Sequence, residues 1–395
     1  MANNTISERG APSKKNNNEG VFGVNEMRLS LRQWIVAGTI VLVTMWASPH
    51  VWKRCEQFTT GPEYRIPYAL SADYWLYQRR ADSLSANAIP VIGDSVVWGE
   101  YVLRDGTLST YLSHETGRPG SFTNCGVNGV FPLALEGLIG QYGQSFHDRK
   151  IVVQCNLLWM SSPKADLSID SEETFNHTEL VSQKPGAIPC YRADAATRMG
   201  AFMETHIGFY GLVNHINTVY YGQESLPKWT LNESDEEPLT RPNAWKNPLS
   251  VINFKTPTEP EHDPARGPAS RRHKAWNAGG AAPSHFEWVD LNKSLQWGGF
   301  RRLVTMLKGR GNNVLVVLGP FNEHMVAQDQ LPQYNIMKHA AVSWFQAQGV
   351  TCIVPNVLPT ELYADASHPL TEGYALLAHE IYTDALFTSW INSKQ

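Results

Sequence analysis

Ser95 ends the run Gly93-Asp94-Ser95, while Asp365 and His368 stand three residues apart in Asp365-Ala366-Ser367-His368 near the carboxyl end. Together these residue types suit nucleophilic acyl transfer. A serine hydroxyl is scarcely ionised at neutral pH and needs an adjacent base to attack a carbonyl. An imidazole supplies that base, and a carboxylate beside it holds the ring in the tautomer that accepts a proton. The developing oxyanion needs preorganised donors. Candidates are the backbone N–H of Ser95, that of Gly129 in "NCGVNG", and the side-chain amide of Asn156 in "VVQCNLLWM". Each piece also has a plainer use. Gly-Asp-Ser consists of turn formers, Asp365 can cap a turn that leaves His368 on the surface, and an asparagine ending a strand commonly satisfies backbone groups.

The order of elements decides between these uses. Short apolar runs at Ala88–Ile92, Ser121–Asn124, Ile151–Gln154, Asn313–Leu318 and Thr351–Val354 read as strands covered on both faces. Helical stretches are expected at Thr107–Glu115, Pro132–Tyr142, Gly298–Lys308, Gln333–Gln348 and Thr371–Phe387. This alternation predicts an α/β fold: a doubly wound, mainly five-stranded parallel sheet flanked by helices, spanning 88–390. In such a sheet ligands bind beyond the carboxyl ends of the strands. Gly93-Asp94-Ser95, the glycines of "NCGVNG", Asn156, "GPFNEH" and "DASHP" follow the five predicted strands in turn.

Residues 160–285 break the rhythm and read as an insertion, with a helical segment in "AFMETHIGFYGLVNHINTVYYG" and a Pro-, Gly- and charge-rich stretch over 232–285. At the other end, residues 33–52 contain no Asp, Glu, Lys or Arg, and Trp34, Trp46 and Trp52 lie near the ends of that run. This predicts a transmembrane anchor over 28–53, preceded by a disordered cytoplasmic tail (1–27) and followed by a connector (54–87). Arg9, Lys14, Lys15, Arg28 and Arg32 precede the span, which favours a cytoplasmic amino end and a domain in the periplasm or outside the cell. The rival reading, a cleaved signal peptide, lacks a small-x-small cleavage site.

A net charge of −4 without a basic stripe gives no reason to expect nucleic acid. The five cysteines form no CxxC pair, so neither a disulfide framework nor a zinc site is indicated, although Cys125 and Cys190 remain free to pair in an oxidising compartment. No HExxH, GxxxxGKS or GxGxxG occurs, and no metal or cofactor is expected. His147, His206, His215, His324 and His379 read as core or solvated histidines, and Trp159, Trp245, Trp288 and Trp297 as packing residues.

The Gly-Asp-Ser turn after the first strand, the glycine loop after the second, the asparagine after the third and the late Asp-x-x-His resemble the SGNH (GDSL-like) hydrolase superfamily, over 88–160 and 295–390. The resemblance implies an SGNH/flavodoxin-like sheet with Ser95 as nucleophile, His368 and Asp365 completing the triad, and Gly129 and Asn156 joining the Ser95 N–H as oxyanion donors. Two departures stand out. The family's Gly-x-Asn-Asp block is absent, since "QCNLLW" supplies only the asparagine, and both Gly126 and Gly129 fit the glycine position. Gly129 is preferred because it follows "GVN". The anchor and insertion look similar to SGNH-like proteins that handle acetyl groups during exopolysaccharide export. The expected activity is a membrane-anchored serine esterase or O-acyltransferase acting on an ester of a carbohydrate or polysaccharide, with a membrane-bound acyl donor as a possible partner. Alternatives are a lysophospholipase-like lipid esterase and a catalytically degenerate domain that binds glycan or a membrane complex.

Overall fold

Strands β1 (Ile89–Gly93), β2 (Phe122–Gly126), β3 (Lys150–Cys155), β4 (Asn313–Leu318) and β5 (Thr351–Ile353) form one all-parallel sheet in the order β2-β1-β3-β4-β5. The computed structural model describes residues 30–170, 175–231, 246–258 and 273–393. The tail expected over 1–27 and parts of the insertion lie outside these residues. Strand order reverses beside β1, so its carboxyl end opens onto the crevice where ligands of doubly wound sheets sit.

The strands are buried almost throughout because helices cover both faces. Alternation along β4 shows it: Val314, Val316 and Leu318 face one apolar cluster, while Leu315 and Val317 face another. Helices α1 (Leu31–Cys55), α2 (Tyr74–Asp82), α3 (Ser95–Trp98), α4 (Leu108–Glu115), α5 (Pro132–Tyr142), α6 (Ala195–His206), α7 (Gly208–Tyr221), α8 (Leu226–Leu231), α9 (Leu295–Gly309), α10 (Leu331–Ala347), α11 (Thr371–Thr383) and α12 (Ala385–Asn392) follow in chain order. The first cluster takes Leu76 and Tyr77 from α2, Leu135 and Leu138 from α5, Phe300 and Leu303 from α9 and Phe345 from α10. The second takes Leu108 and Leu112 from α4, Leu377 and Ile381 from α11 and Trp390 from α12. The α/β, doubly wound class read from the alternation is the observed one.

Boundaries differ where side chains cap helices. The single helix expected over Thr371–Phe387 is two, because the Asp384 carboxylate accepts the Leu386 N–H at 2.7 Å and starts α12. Similarly, Ser294 accepts the Trp297 N–H at 2.9 Å and starts α9 three residues before the expected Gly298. The helical segment expected over 201–222 begins earlier, at Ala195 behind the Asp194 cap, and breaks at Ile207. Residues 54–87, read as a connector, carry α2 and its buried face. The insertion contributes α6, α7, α8 and 3-10 turns but no strand of the sheet among the described residues.

Helix α1 is the one described helix long and apolar enough to cross a membrane. Its Trp34, Ile35, Ile40, Leu42 and Trp46 side chains are exposed. All five cysteines are free thiols, and Cys125 and Cys190 are unbonded.

Candidate active site

Asp94 builds the turn that presents Ser95. Its carboxylate caps α3 by accepting the Val96 N–H at 2.8 Å, which makes Ser95 the first helical residue beyond β1. The other carboxylate oxygen accepts the indole N–H of fully buried Trp159 at 2.9 Å. Burial raises the Asp94 pKa despite the partial opposition of His368, Val96 and Trp159. Arg65, from the stretch read as a connector, closes the other end of α3. Its guanidinium donates to the carbonyls of Trp98 at 3.0 Å, Gly99 at 2.6 Å and Val102 at 3.1 Å, and lies 3.9 Å from the Trp98 ring centre.

His368 comes from the loop between β5 and α11. Tyr363 and Pro369 pair across this loop, and the Ala364 N–H donates to the His368 carbonyl at 2.8 Å, so residues 365–367 form a tight turn. Within it one oxygen of Asp365 accepts the N–H groups of Ser367 and His368, each at 2.9 Å. Buried Asn322, beyond β4, donates from Nδ2 to the Asp365 carbonyl at 3.1 Å and from its backbone N–H to the Ala366 carbonyl at 2.9 Å.

These supports bring two distant segments into one chain of contacts. Ser95 Oγ lies 2.8 Å from His368 Nε2, and His368 Nδ1 lies 2.8 Å from both carboxylate oxygens of Asp365. Burial opposes a charge on the His368 ring, but the hydrogen bond to Asp365 and the charges of Asp365, Asp94 and Glu100 outweigh it and raise its pKa. Asp365 goes the other way: burial opposes its charge, and the bonds from His368 and two backbone N–H groups prevail and lower its pKa.

The three oxyanion candidates sit beyond the carboxyl ends of neighbouring strands β2, β1 and β3. None of the Ser95 N–H, the Gly129 N–H and Asn156 Nδ2 donates a hydrogen bond within the described residues. Asn156 uses only its oxygen, which accepts the Leu158 N–H at 3.0 Å. The two glycines separate by their surroundings. Gly126 has committed its N–H to Asn124 Oδ1 at 3.0 Å, and a Cβ there would fall 2.4 Å from the Trp98 nitrogen, so it is a close-packing position beneath α3. Gly129 has φ +72° and borders a cavity of about 480 Å³, shared with Phe131, Leu133, Leu167 and Phe175.

Sequence reasoning missed Glu100 and Tyr101. Glu100 Oε2 stands 3.6 Å from His368 Nε2, and the Tyr101 ring meets the His368 ring edge-on at 5.4 Å. Tyr101 holds φ +68°, unusual for an aromatic residue, and burial, with Asp365 and Glu100 nearby, pushes its pKa up to about 12. The only local hint was Gly99, whose left-handed cap (φ 89°) ends α3 just before them. Among the described residues no group of three or more His, Cys, Asp or Glu side chains is arranged to hold a metal ion. Neither a protein-family model nor a curated protein matches the sequence.

Proposed function

We propose that this chain is a membrane-anchored serine esterase or O-acyltransferase of SGNH type that acts on an ester of a carbohydrate or polysaccharide. The observation that carries the reading is the unbroken series Ser95–His368–Asp365, with both ring nitrogens of His368 engaged at 2.8 Å. Ser95 Oγ forms a bond to the acyl carbon while its proton passes to His368 Nε2. As the C–O bond to the alcohol breaks, the same proton moves to the departing oxygen, leaving an acyl-serine. Water yields hydrolysis and a hydroxyl yields transfer: each gives its proton to Nε2 as it attacks, and Nε2 returns that proton to Ser95 Oγ as the acyl–Oγ bond breaks. The unpartnered donors at Ser95, Gly129 and Asn156 support stabilisation of the oxyanion.

The basic residues before α1 support an amino end in the cytoplasm and a domain in the periplasm or cell exterior. The test uses the full-length chain in detergent micelles with a fluorophosphonate probe and p-nitrophenyl acetate. The expected result is one adduct, on Ser95, and turnover that is lost in Ser95→Ala. An unlabelled wild-type protein that leaves the acetate intact overturns the reading in favour of binding without turnover.

A further inference from the structure

Two groups approach the same atom of His368. Nε2 lies 2.8 Å from Ser95 Oγ and 3.6 Å from Glu100 Oε2. Asp365 already holds the other ring nitrogen, so Glu100 is not needed to fix the tautomer. Its position is nonetheless built. The chain turns at Gly99, the Glu100 N–H returns to the Ser95 carbonyl at 3.0 Å, and Asn128 Nδ2 donates to Oε2 at 3.1 Å. Asn128 is braced in turn by His177, whose Nε2 lies 2.8 Å from its carbonyl. The Glu100 side chain is still 29% exposed, so a ligand can reach it.

We propose that Glu100 recognises the alcohol half of the ester, and that this half bears a free hydroxyl on the carbon next to the ester oxygen, as sugars and polyols do. The proposal rests on the reading of Ser95 as the acylated nucleophile. When the C–O bond breaks, the departing oxygen takes its proton from Nε2 and must stand within hydrogen-bond reach of it. A substituent on the adjacent carbon then lies beside Glu100. A carboxylate offers only acceptors, and a neighbouring hydroxyl meets it with a charge-assisted hydrogen bond. An alkyl or ether group in that place displaces water from the carboxylate and supplies no donor in its stead, leaving Asn128 as the donor to Oε2. The same arrangement serves transfer: the attacking hydroxyl gives its proton to Nε2 while its neighbour donates to Glu100. No bond to Glu100 is made or broken.

The test compares 2-hydroxyethyl acetate with 2-methoxyethyl acetate, which differ in that one donor, on the full-length protein in detergent. Wild type should favour the hydroxyethyl ester by roughly 10- to 100-fold in kcat/KM. That preference should fall towards unity in Glu100→Gln and Glu100→Ala. Wild type without a preference overturns the proposal whatever the variants do, and so does a preference that survives Glu100→Ala. Fluorophosphonate labelling is read in parallel. An unlabelled wild-type Ser95 refutes the serine reading, whereas labelling without hydroxyl preference refutes this proposal alone. A monoacetylated methyl glucoside and a lysophosphatidylcholine, both carrying the neighbouring hydroxyl, then separate a carbohydrate from a lipid source. Turnover of either supports the proposal, and turnover of neither overturns it.

Discussion

The Tyr374 hydroxyl donates to the carbonyl of Val96 across 2.7 Å. This buried contact ties α11, which starts three residues past His368, to the residue after Ser95. Ser95 and His368 are thus held together by a bond that involves neither. Tyr374→Phe removes the donor and leaves a buried carbonyl short of a partner, at a cost of about 1–3 kcal/mol. Both the urea midpoint and the rate of Ser95 labelling should fall. An unchanged midpoint and rate would show that the contact holds nothing.

Proton transfer requires His368 to be neutral, so its raised pKa sets a direction for activity. Ester cleavage should rise with pH through a midpoint above the ordinary imidazole value of about 6.5. The sign for stability is opposite. A folded pKa above the unfolded one contributes stability fully present below about 6.5 and lost as pH rises through the folded value. Asp365→Asn should move the acid limb of kcat/KM downward and cut turnover by roughly 10⁴-fold, since the ring loses both its charge partner and its tautomer. A wild-type limb at or below 6.5 contradicts this account.

Much of this arrangement was legible because each piece is local. A short apolar run followed by Gly93-Asp94-Ser95 encodes both a covered strand and a capped turn, and Asp365 reaches His368 within one turn of chain. The break at Asp384 was not legible, because apolar spacing continues through it and only the cap reveals it. Glu100 and Arg65 were hidden for a different reason. Their roles exist only against His368 and the end of α3, so neither shows a pattern in its own neighbourhood.

The two glycines should respond differently to alanine. At Gly126 the added Cβ meets backbone atoms, 2.4 Å from the Trp98 nitrogen and 2.8 Å from the Val97 carbonyl carbon, so α3 must shift and Ser95 with it. At Gly129 it meets the end of the Asn176 side chain at 2.6 Å, which can swing away, leaving a left-handed strain of about 1–2 kcal/mol. Gly126→Ala should therefore slow Ser95 labelling more than Gly129→Ala does. Equal labelling rates would mean that β2 does not set the height of α3.

Cys55, the last residue of α1, is the one exposed cysteine. With the domain outside the cytoplasm, a membrane-impermeant maleimide should label it in sealed right-side-out vesicles, and Cys55→Ser should abolish that labelling. Labelling confined to lysed vesicles would place the domain on the other side.

His215 of α7 is wholly buried between two carboxylates, with Nδ1 2.7 Å from Asp73 and Nε2 2.7 Å from Glu56. Asp73 caps α2 and Glu56 directly follows α1, so one imidazole joins the insertion to the segment leading into the sheet domain. Burial opposes its charge, but the hydrogen bonds to both carboxylates and their charges prevail and push its pKa up to about 9. Glu56 is also disfavoured by burial, yet His215, Trp52 and Arg79 hold its pKa below the usual carboxylate value. The histidine contribution is therefore full below about 6.5 and lost as pH rises through 9, while the Glu56 contribution is lost as pH falls through its lowered value. Denaturant midpoints should form a plateau on the acid side of neutrality and decline towards pH 9. His215→Leu leaves two buried carboxylates without their shared cation, which costs about 3–5 kcal/mol at the plateau, and its stability should fall less between pH 6.5 and 9 than that of wild type. If wild type and variant keep parallel pH profiles, the ring is neutral in the fold and the ion-pair account fails.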